Sequence, residues 1–270
     1  MTNRAGERAG PSPAPATATA SEQVHAKPMM NRPRERNVLI SGASRGLGRA
    51  LQSLYAQRRW RTFPLVRSEQ AADELASQWP DNCRPIVTDV TDDETVERIR
   101  SVLRRRHADK VHVLVNNAGY AGRSCRVDEL SSEEIEEMLA VHCMGALRCI
   151  QSALPFLRAA EGATIVNITS RLGSMARNAD GEFAGKPFTY SYRIAKAAQN
   201  MLTLCLSQEL KTSGIAVVGV HPGALLTDSR SHDADTTPQV AARRIADLVD
   251  RIDTEQTGTC FDAQGGTIPW

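Results

Sequence analysis

The sequence predicts an α/β fold: a doubly wound, mostly parallel sheet of about seven strands with helices on both faces. Short apolar runs alternate with longer stretches of helical periodicity from Asn37 onward. A glycine-rich turn stands between the first apolar run and the first helical stretch, where an α/β sheet commonly receives a phosphate.

Taken in order, Val38-Leu39-Ile40 is a short apolar strand, followed by the turn Gly42–Gly48 and a helix over Arg49–Gln57. Arg61–Val66 and Pro85–Thr88 are the next strands, each followed by a helix, Gln70–Gln78 and Glu94–Arg106. Val111–Val115 is the fourth strand. A long helical region runs from Ser132 to Leu157, and Ser131 with Glu134 fits a capping box at its start. Thr164–Ile168, the helix Tyr192–Leu210, the strand Ile215–Val220, the helix Gln239–Ile252 and a short strand Thr259–Phe261 complete the pattern.

Residues 1–36 stand apart. Ala, Pro, Ser and Thr crowd Ala9–Ser21 without apolar periodicity, which predicts a disordered arm, basic through Arg4, Arg8, Lys27, Arg32, Arg34 and Arg36. The arm reads as an organelle import signal, as an expression remnant, or as the result of a start upstream of Met29 or Met30. Residues 37–270 form one domain.

Composition narrows the class. With 270 residues, 41% hydrophobic and 24% charged, wholesale disorder is excluded. A formal net charge of +2 gives no electrostatic case for nucleic acid or a membrane surface. No run of ~18 apolar residues and no secretory core is present, so the expected location is cytoplasmic. The six cysteines form no CxxC pair and match no zinc spacing, so they are expected to be reduced and mostly buried. His221 and His232 read as a strand-end and a loop histidine, and no metal is expected.

The turn Gly42-Ala43-Ser44-Arg45-Gly46-Leu47-Gly48 allows a pyrophosphate to approach backbone N–H groups at a helix N-terminus. Its spacing is GxxxGxG rather than GxGxxG. An NAD site wants an acid at the end of the second strand, but Leu65-Val66-Arg67 stands there, and Arg45 lies inside the turn. Two guanidiniums suit a 2′-phosphate, which favours NADP(H) over NAD(H). The alternative is that both are solvated surface charges.

Tyr192 and Lys196 lie at i and i+4 and share a helix face, whereas Tyr190 faces away. A phenol titrates near 10, and a neighbouring ammonium lowers that value by stabilising the phenolate. Ser170 follows the fifth strand, on the edge of the sheet where ligands gather, and its hydroxyl can hold a substrate oxygen while Tyr192 handles the proton.

These segments together, with Asp89-Val90, Asn116-Asn117-Ala118-Gly119 and Pro222-Gly223 with Thr227, make the chain resemble the short-chain dehydrogenase/reductase family across Asn37–Trp270. The ending Gly258–Trp270 and the run Tyr190–Arg193 resemble its C-factor/sniffer-like carbonyl reductase branch. The resemblance implies a Rossmann-type fold with Asp89 on the adenine amine, Val90 beside it, and Asn116, Ala118 and Gly119 closing the fourth strand on the cofactor. It implies Pro222, Gly223 and Thr227 at the nicotinamide, with Lys196 also on its ribose. Tyr192 is then the general acid of carbonyl reduction and the base of alcohol oxidation, and Ser170 polarises the carbonyl. A homodimer or homotetramer is implied, with a small carbonyl or alcohol as substrate.

Two departures from the family pattern stand out. The family usually has Asn in a VNxxG context, where its backbone carbonyl holds a relay water; here the text is Val141-His142-Cys143-Met144-Gly145. His142 either serves the relay and adds an ionisation to the pH profile, or only packs the helix. Ser170 and Tyr192 are also 22 positions apart, and the intervening loop carries Phe183 and Phe188, which are expected to cover the substrate. A cofactor-binding sensor or signalling protein with little turnover is the competing class.

Overall fold

A computed structural model describes residues 36–185, 188–226 and 236–270. The predicted arm and Thr227 lie outside the described residues. Seven parallel strands form one sheet: β1 (Asn37–Ser41), β2 (Arg61–Val66), β3 (Ile86–Val87), β4 (Val113–Asn116), β5 (Thr164–Ile168), β6 (Ala216–His221) and β7 (Cys260–Asp262). Their spatial order is β3-β2-β1-β4-β5-β6-β7, every neighbouring pair parallel. The chain winds outward from β1 to β3, returns to β4 beside β1, and winds the other way. The gap between β1 and β4 is therefore a topological switch point, where the carboxyl ends of the strands open a ligand crevice.

The pleat explains why the strands read as continuous apolar runs. Val38 and Ile40 of β1, with Val113 and Val115 of β4, face one core, together with Leu47, Leu51 and Ile245. Leu39 and Leu114 face the other core, with Ile99, Leu103, Ile150 and Leu157. Helices α1 (Gly46–Gln57), α2 (Glu69–Gln78) and α8 (Pro238–Val249) carry residues of the first core, while α3 (Thr95–Arg105) and α5 (Gly145–Arg158) carry those of the second. Both faces are covered, so no strand has a polar side to display.

Several boundaries differ from expectation. Only Ile86–Val87 of the predicted third strand pairs, because Thr88 reaches β2 with a single further bond to Val66 O. The long helical region divides into α4 (Ser132–Leu139), a wider turn over Ala140–Met144 and α5, the bond from Gly145 N running five residues back to Ala140 O. Such π-type widenings are rare and cluster at functional sites. The predicted capping box is half-formed. Ser131 Oγ accepts from Glu134 N at 3.2 Å, but the Glu134 carboxylate turns to Ser191 Oγ at 2.7 Å on another helix, α7 (Tyr190–Leu210).

All six cysteines are free. Cys83, Cys149 and Cys260 are buried, Cys125 and Cys143 are half-buried, and Cys205 is exposed, so half rather than most of the six are buried. Among the described residues, no helix is long and apolar enough to cross a membrane.

Candidate active site

The glycine turn leaves β1 and enters α1 under tight constraint from β4. Gly42 has φ +67°, and a Cβ there would stand 2.7 Å from Ala118 Cα. A Cβ on Gly48 would overlap the Gly42 carbonyl and approach Asn117 Nδ2 to 2.5 Å. Ser41 Oγ accepts from Asn117 N and Ala118 N, each at 3.0 Å, while Asn117 Nδ2 donates to the carbonyls of Ser41 and Gly42. Gly46 also has a left-handed φ of +56°, and among the described residues nothing lies within 4 Å of the place its Cβ would take. Arg45 caps α1 through its backbone alone, and the first turn holds no acid. The helix therefore begins with amides uncapped by a side chain beside an open space, which suits an anion. Ser44 and Arg45 are exposed at this rim, whereas Leu47 is buried in the core and offers the crevice only its backbone.

Arg67 and Asp89 end neighbouring strands. Asp89 Oδ1 accepts from Thr91 N and Thr91 Oγ1, and its Oδ2 lies 3.9 Å from Arg67 Nη1. The Arg67 side chain is 80% exposed, so this long contact contributes little and leaves the guanidinium free to reorient. Val90 is buried, and its Cγ2 would meet a Cβ on Gly145 at 2.7 Å. Across the crevice, Pro222 and Gly223 follow β6; Gly223 has φ +90°, and a Cβ there would lie 3.0 Å from Gln264 Nε2.

Ser170, Tyr192 and Lys196 converge at the carboxyl end of β5. Ser170 opens a tight turn over Arg171–Gly173, its Oγ accepting from Leu172 N at 3.2 Å. The same hydroxyl stands close enough to the Tyr192 phenol to favour its ionised form. Burial raises the Tyr192 pKa above the ordinary phenol value, and the nearby Ser170 hydroxyl opposes that rise. Lys196 Nζ lies 5.8 Å from the Tyr192 ring centroid and donates to Ile168 O at 2.6 Å and Gln199 Oε1 at 3.0 Å. Burial pushes its ammonium down to about 7. The expected lowering of the phenol by a fully charged lysine is thus not what these side chains produce by themselves. The phenol is raised, and the lysine is only partly charged at neutral pH.

His142 lies in the widened turn, and its ring meets Tyr192 edge-on at 5.3 Å and 85°. Its Nε2 is 3.0 Å from Tyr120 O, so Nε2 carries the proton and donates. A Cβ on Gly119 would strike the imidazole, which makes glycine necessary there. Burial, with the Lys196 charge adding, lowers His142 to about 3. It is neutral at every pH near 7, which corrects the expectation of an added ionisation. Its Nδ1 is buried without a hydrogen-bond partner among the described residues, as is Asn116 Oδ1.

Sequence reasoning missed the polar chain behind these groups. Asn116 Nδ2 donates to Asn167 Oδ1, Asn167 Nδ2 donates to Thr203 Oγ1, and Thr203 Oγ1 donates to Gln199 O, each at 2.8–2.9 Å. Gln199 in turn accepts from Lys196. The one available signal was polar residues at positions of α7 and β5 that periodicity assigns to the core. Tyr190 does face away, stacking on Phe188 at 5.6 Å beside an open groove of about 570 Å³ that also includes Cys125 and Val127. Phe183 is buried, with the Arg193 guanidinium 5.1 Å from its ring and 4.6 Å from that of Phe188. Phe183 therefore supports its loop from within.

A family model for short chain dehydrogenases matches residues 36–237. The chain belongs to the short chain dehydrogenase family. As a short chain dehydrogenase it is 34% identical over 160 residues to C-signal of Myxococcus xanthus, covering 59% of this chain and 93% of that protein. It is similar to the NADPH-bound carbonyl reductase from chicken fatty liver, with a TM-score of 0.78 and 29% identity over 88% of this chain and all of that one. Carbonyl reductase Sniffer of D. melanogaster matches with the same TM-score and 26% identity, over 87% of this chain and 100% of its own. The short chain dehydrogenase assignment accounts for the seven-stranded parallel sheet and places the protein among oxidoreductases in a carbonyl reductase-like branch.

Proposed function

We propose that the protein is an NADP(H)-dependent carbonyl reductase that interconverts a small aldehyde or ketone and its alcohol. The observation that carries this reading is the convergence of Ser170, Tyr192 and Lys196 at the carboxyl end of β5, with Lys196 Nζ bound to Ile168 O and 5.8 Å from the Tyr192 ring. Bound NADPH would supply the hydride. The chain's own residues do the rest. Ser170 Oγ donates to the substrate oxygen and orients it, and Tyr192 Oη delivers the proton to that oxygen in reduction or accepts it in oxidation. Lys196 offers a nearby cation whose pKa of about 7 allows it to gain or lose a proton near neutrality. The neutral His142 ring fixes the Tyr192 ring by its edge contact and its bond to Tyr120 O.

The turn Gly42–Gly48 is read as the pyrophosphate seat, Asn116, Ala118 and Gly119 as closing β4 against the cofactor, and Pro222, Gly223 and Thr227 as the nicotinamide side. Asp89 and Val90 are read as the adenine end. Arg45 and Arg67 support a 2′-phosphate, because both are exposed at the rim of the crevice and no acid follows β2 until Glu69. For assembly, the exposed Ile194 and Met201, seven residues apart on one face of α7, support a homodimer or homotetramer. The second reading, a nucleotide-binding signalling protein with little turnover, takes its support from the likeness to C-signal.

Fluorescence titration of the wild type and Tyr192→Phe with NADPH and NADH, beside NADPH consumption on a panel of aldehydes and ketones, tests the proposal. NADPH binding by both proteins with turnover only in the wild type is the expected result. Binding without turnover in either favours the signalling reading, and no nucleotide binding overturns both.

A further inference from the structure

We infer that the segment Ile268–Trp270 is a positioning clamp for the catalytic serine turn, with Trp270 its keystone. The inference rests on the reading that Ser170 and Tyr192 are the reacting hydroxyls. The turn leaving Ser170 is held on two sides. On its inner side lies α7. A Cβ on Gly173 would stand 2.7 Å from Lys196 Cβ, and Asn200 Nδ2 donates to Gly173 O at 3.0 Å while Asn200 Oδ1 accepts from Thr169 Oγ1 at 2.6 Å. These contacts come from the helix that carries Tyr192 and Lys196.

The outer side is held by the last residues of the sequence. Ser174 Oγ donates to Pro269 O at 2.5 Å, and Ala176 N donates to Trp270 O at 2.9 Å. Ser174 also caps the short helix α6 (Met175–Ala179), so one side chain joins the segment to the start of the loop that separates Ser170 from Tyr192. The segment is itself anchored to the sheet. Ile268 N donates to Cys260 O at 2.8 Å with the Ile268 side chain buried, and Trp270 Nε1 donates to Gly258 O at 3.0 Å.

The indole explains a glycine inside a central strand. A Cβ on Gly219 of β6 would lie 3.1 Å from Trp270 Cη2 and 3.4 Å from Thr169 Cγ2. The ring therefore sits where β6 has given up a side chain, next to the residue that precedes Ser170. Glycine in a strand interior carries an entropic cost, and close approach of another group is a usual reason for it. Backbone bonds and a large rigid ring thus connect the β6–β7 edge to the Ser170 turn. A displacement of about 1 Å at a reacting group can cost on the order of a hundredfold in rate. Trp270 acts through Ser170 and does not touch the reacting atoms.

Two measurements on the full chain test this separately from the catalytic reading. Amide hydrogen exchange compares the wild type with Trp270→Ala, Trp270→Phe and Ser174→Ala. Trp270→Ala and Ser174→Ala are each expected to speed exchange in Arg171–Ala179 while β1 and α1 keep their protection, and Trp270→Phe is expected to restore most of it. Steady-state kinetics should show kcat falling by about tenfold or more in Trp270→Ala, with NADPH affinity unchanged and Trp270→Phe recovering most of the loss. Unchanged exchange in Arg171–Ala179 in both alanine variants overturns the clamp whatever the activity. Loosened amides with wild-type kcat overturn the positioning role. If Trp270→Ala does not fold, the same criteria apply to Ser174→Ala. A wild type without turnover on any carbonyl refutes the catalytic reading, while the exchange result still decides the clamp.

Discussion

Lys196 gives the sharpest thermodynamic prediction. Its ammonium is buried at 4% exposure and held by Ile168 O and Gln199 Oε1, yet burial lowers its pKa from 10.5 to about 7. In the unfolded chain the lysine takes up its proton near 10.5, while the folded protein refuses it until about 7. As pH falls through that window the unfolded state therefore binds more protons and stability is lost; below about 7 the penalty is constant. At ~1.4 kcal/mol per pKa unit the full penalty approaches about 5 kcal/mol, and the part falling between about pH 9 and 7 is about 2 kcal/mol. Lys196→Met removes the titration. Urea unfolding of both proteins without added nucleotide, at a series of pH values from 7 to 9, gives the difference curve, in which other titrating groups cancel. The wild type should lose about 2 kcal/mol relative to Lys196→Met on going from about pH 9 to 7. Parallel curves would mean that Lys196 keeps its ordinary affinity for the proton, and the desolvation argument would fail.

Other outcomes follow from the same geometry. Tyr192→Phe should lower kcat by about 10²–10⁴-fold with NADPH affinity retained, because it removes one proton donor and leaves the ring in place; near-normal turnover in a carbonyl assay counts against the role given to Tyr192. His142 should show one neutral, Nε2-protonated form in imidazole ¹⁵N NMR from pH 5 to 8, since its pKa lies at about 3, and a titration near 6.5 would refute the burial argument. Arg67→Glu should weaken NADPH by about tenfold while leaving NADH little changed, measured by fluorescence titration. Gly48→Ala should destabilise the fold by about 1–3 kcal/mol in urea and abolish nucleotide binding, because its methyl overlaps the Gly42 carbonyl.

What could be read from the sequence divides along a physical line. Periodicity is local, so the seven strands, the order of helices and the shared face of Tyr192 and Lys196 were legible from spacing, and Ser170 was legible from its place at a strand's carboxyl end. Partners chosen across the fold were not. The motif at Ser131 and Glu134 is a sound capping box by spacing, yet the carboxylate goes to Ser191, because a buried hydroxyl on α7 outweighs an exposed backbone amide that water can satisfy. The same competition misled the pKa reading. Spacing places Lys196 beside Tyr192 but says nothing of the depth that lowers the lysine to about 7 and raises the phenol. Desolvation is set by everything packed around a group, and here that is spread over β5, α7, the turn after Ser170 and the widened turn that carries His142.

The chain from Asn116 to Lys196 shows what such depth achieves. The bonds from Asn116 to Asn167 and from Asn167 to Thr203 fix β4 to β5 and β5 to α7, and the bonds from Thr203 and Lys196 to Gln199 carry the chain along α7 to the lysine. Buried polar groups that are satisfied in only one arrangement penalise every other arrangement by the cost of an unpaired donor or acceptor, about 1–3 kcal/mol each. Asn116 Oδ1 and His142 Nδ1 are left as buried acceptors without a partner among the described residues, and His142 Nδ1 lies against Gly119. A core built for stability alone would have filled these positions with apolar side chains. Polar residues kept there at that cost are the mark of a site whose geometry, rather than its burial, is what the sequence specifies.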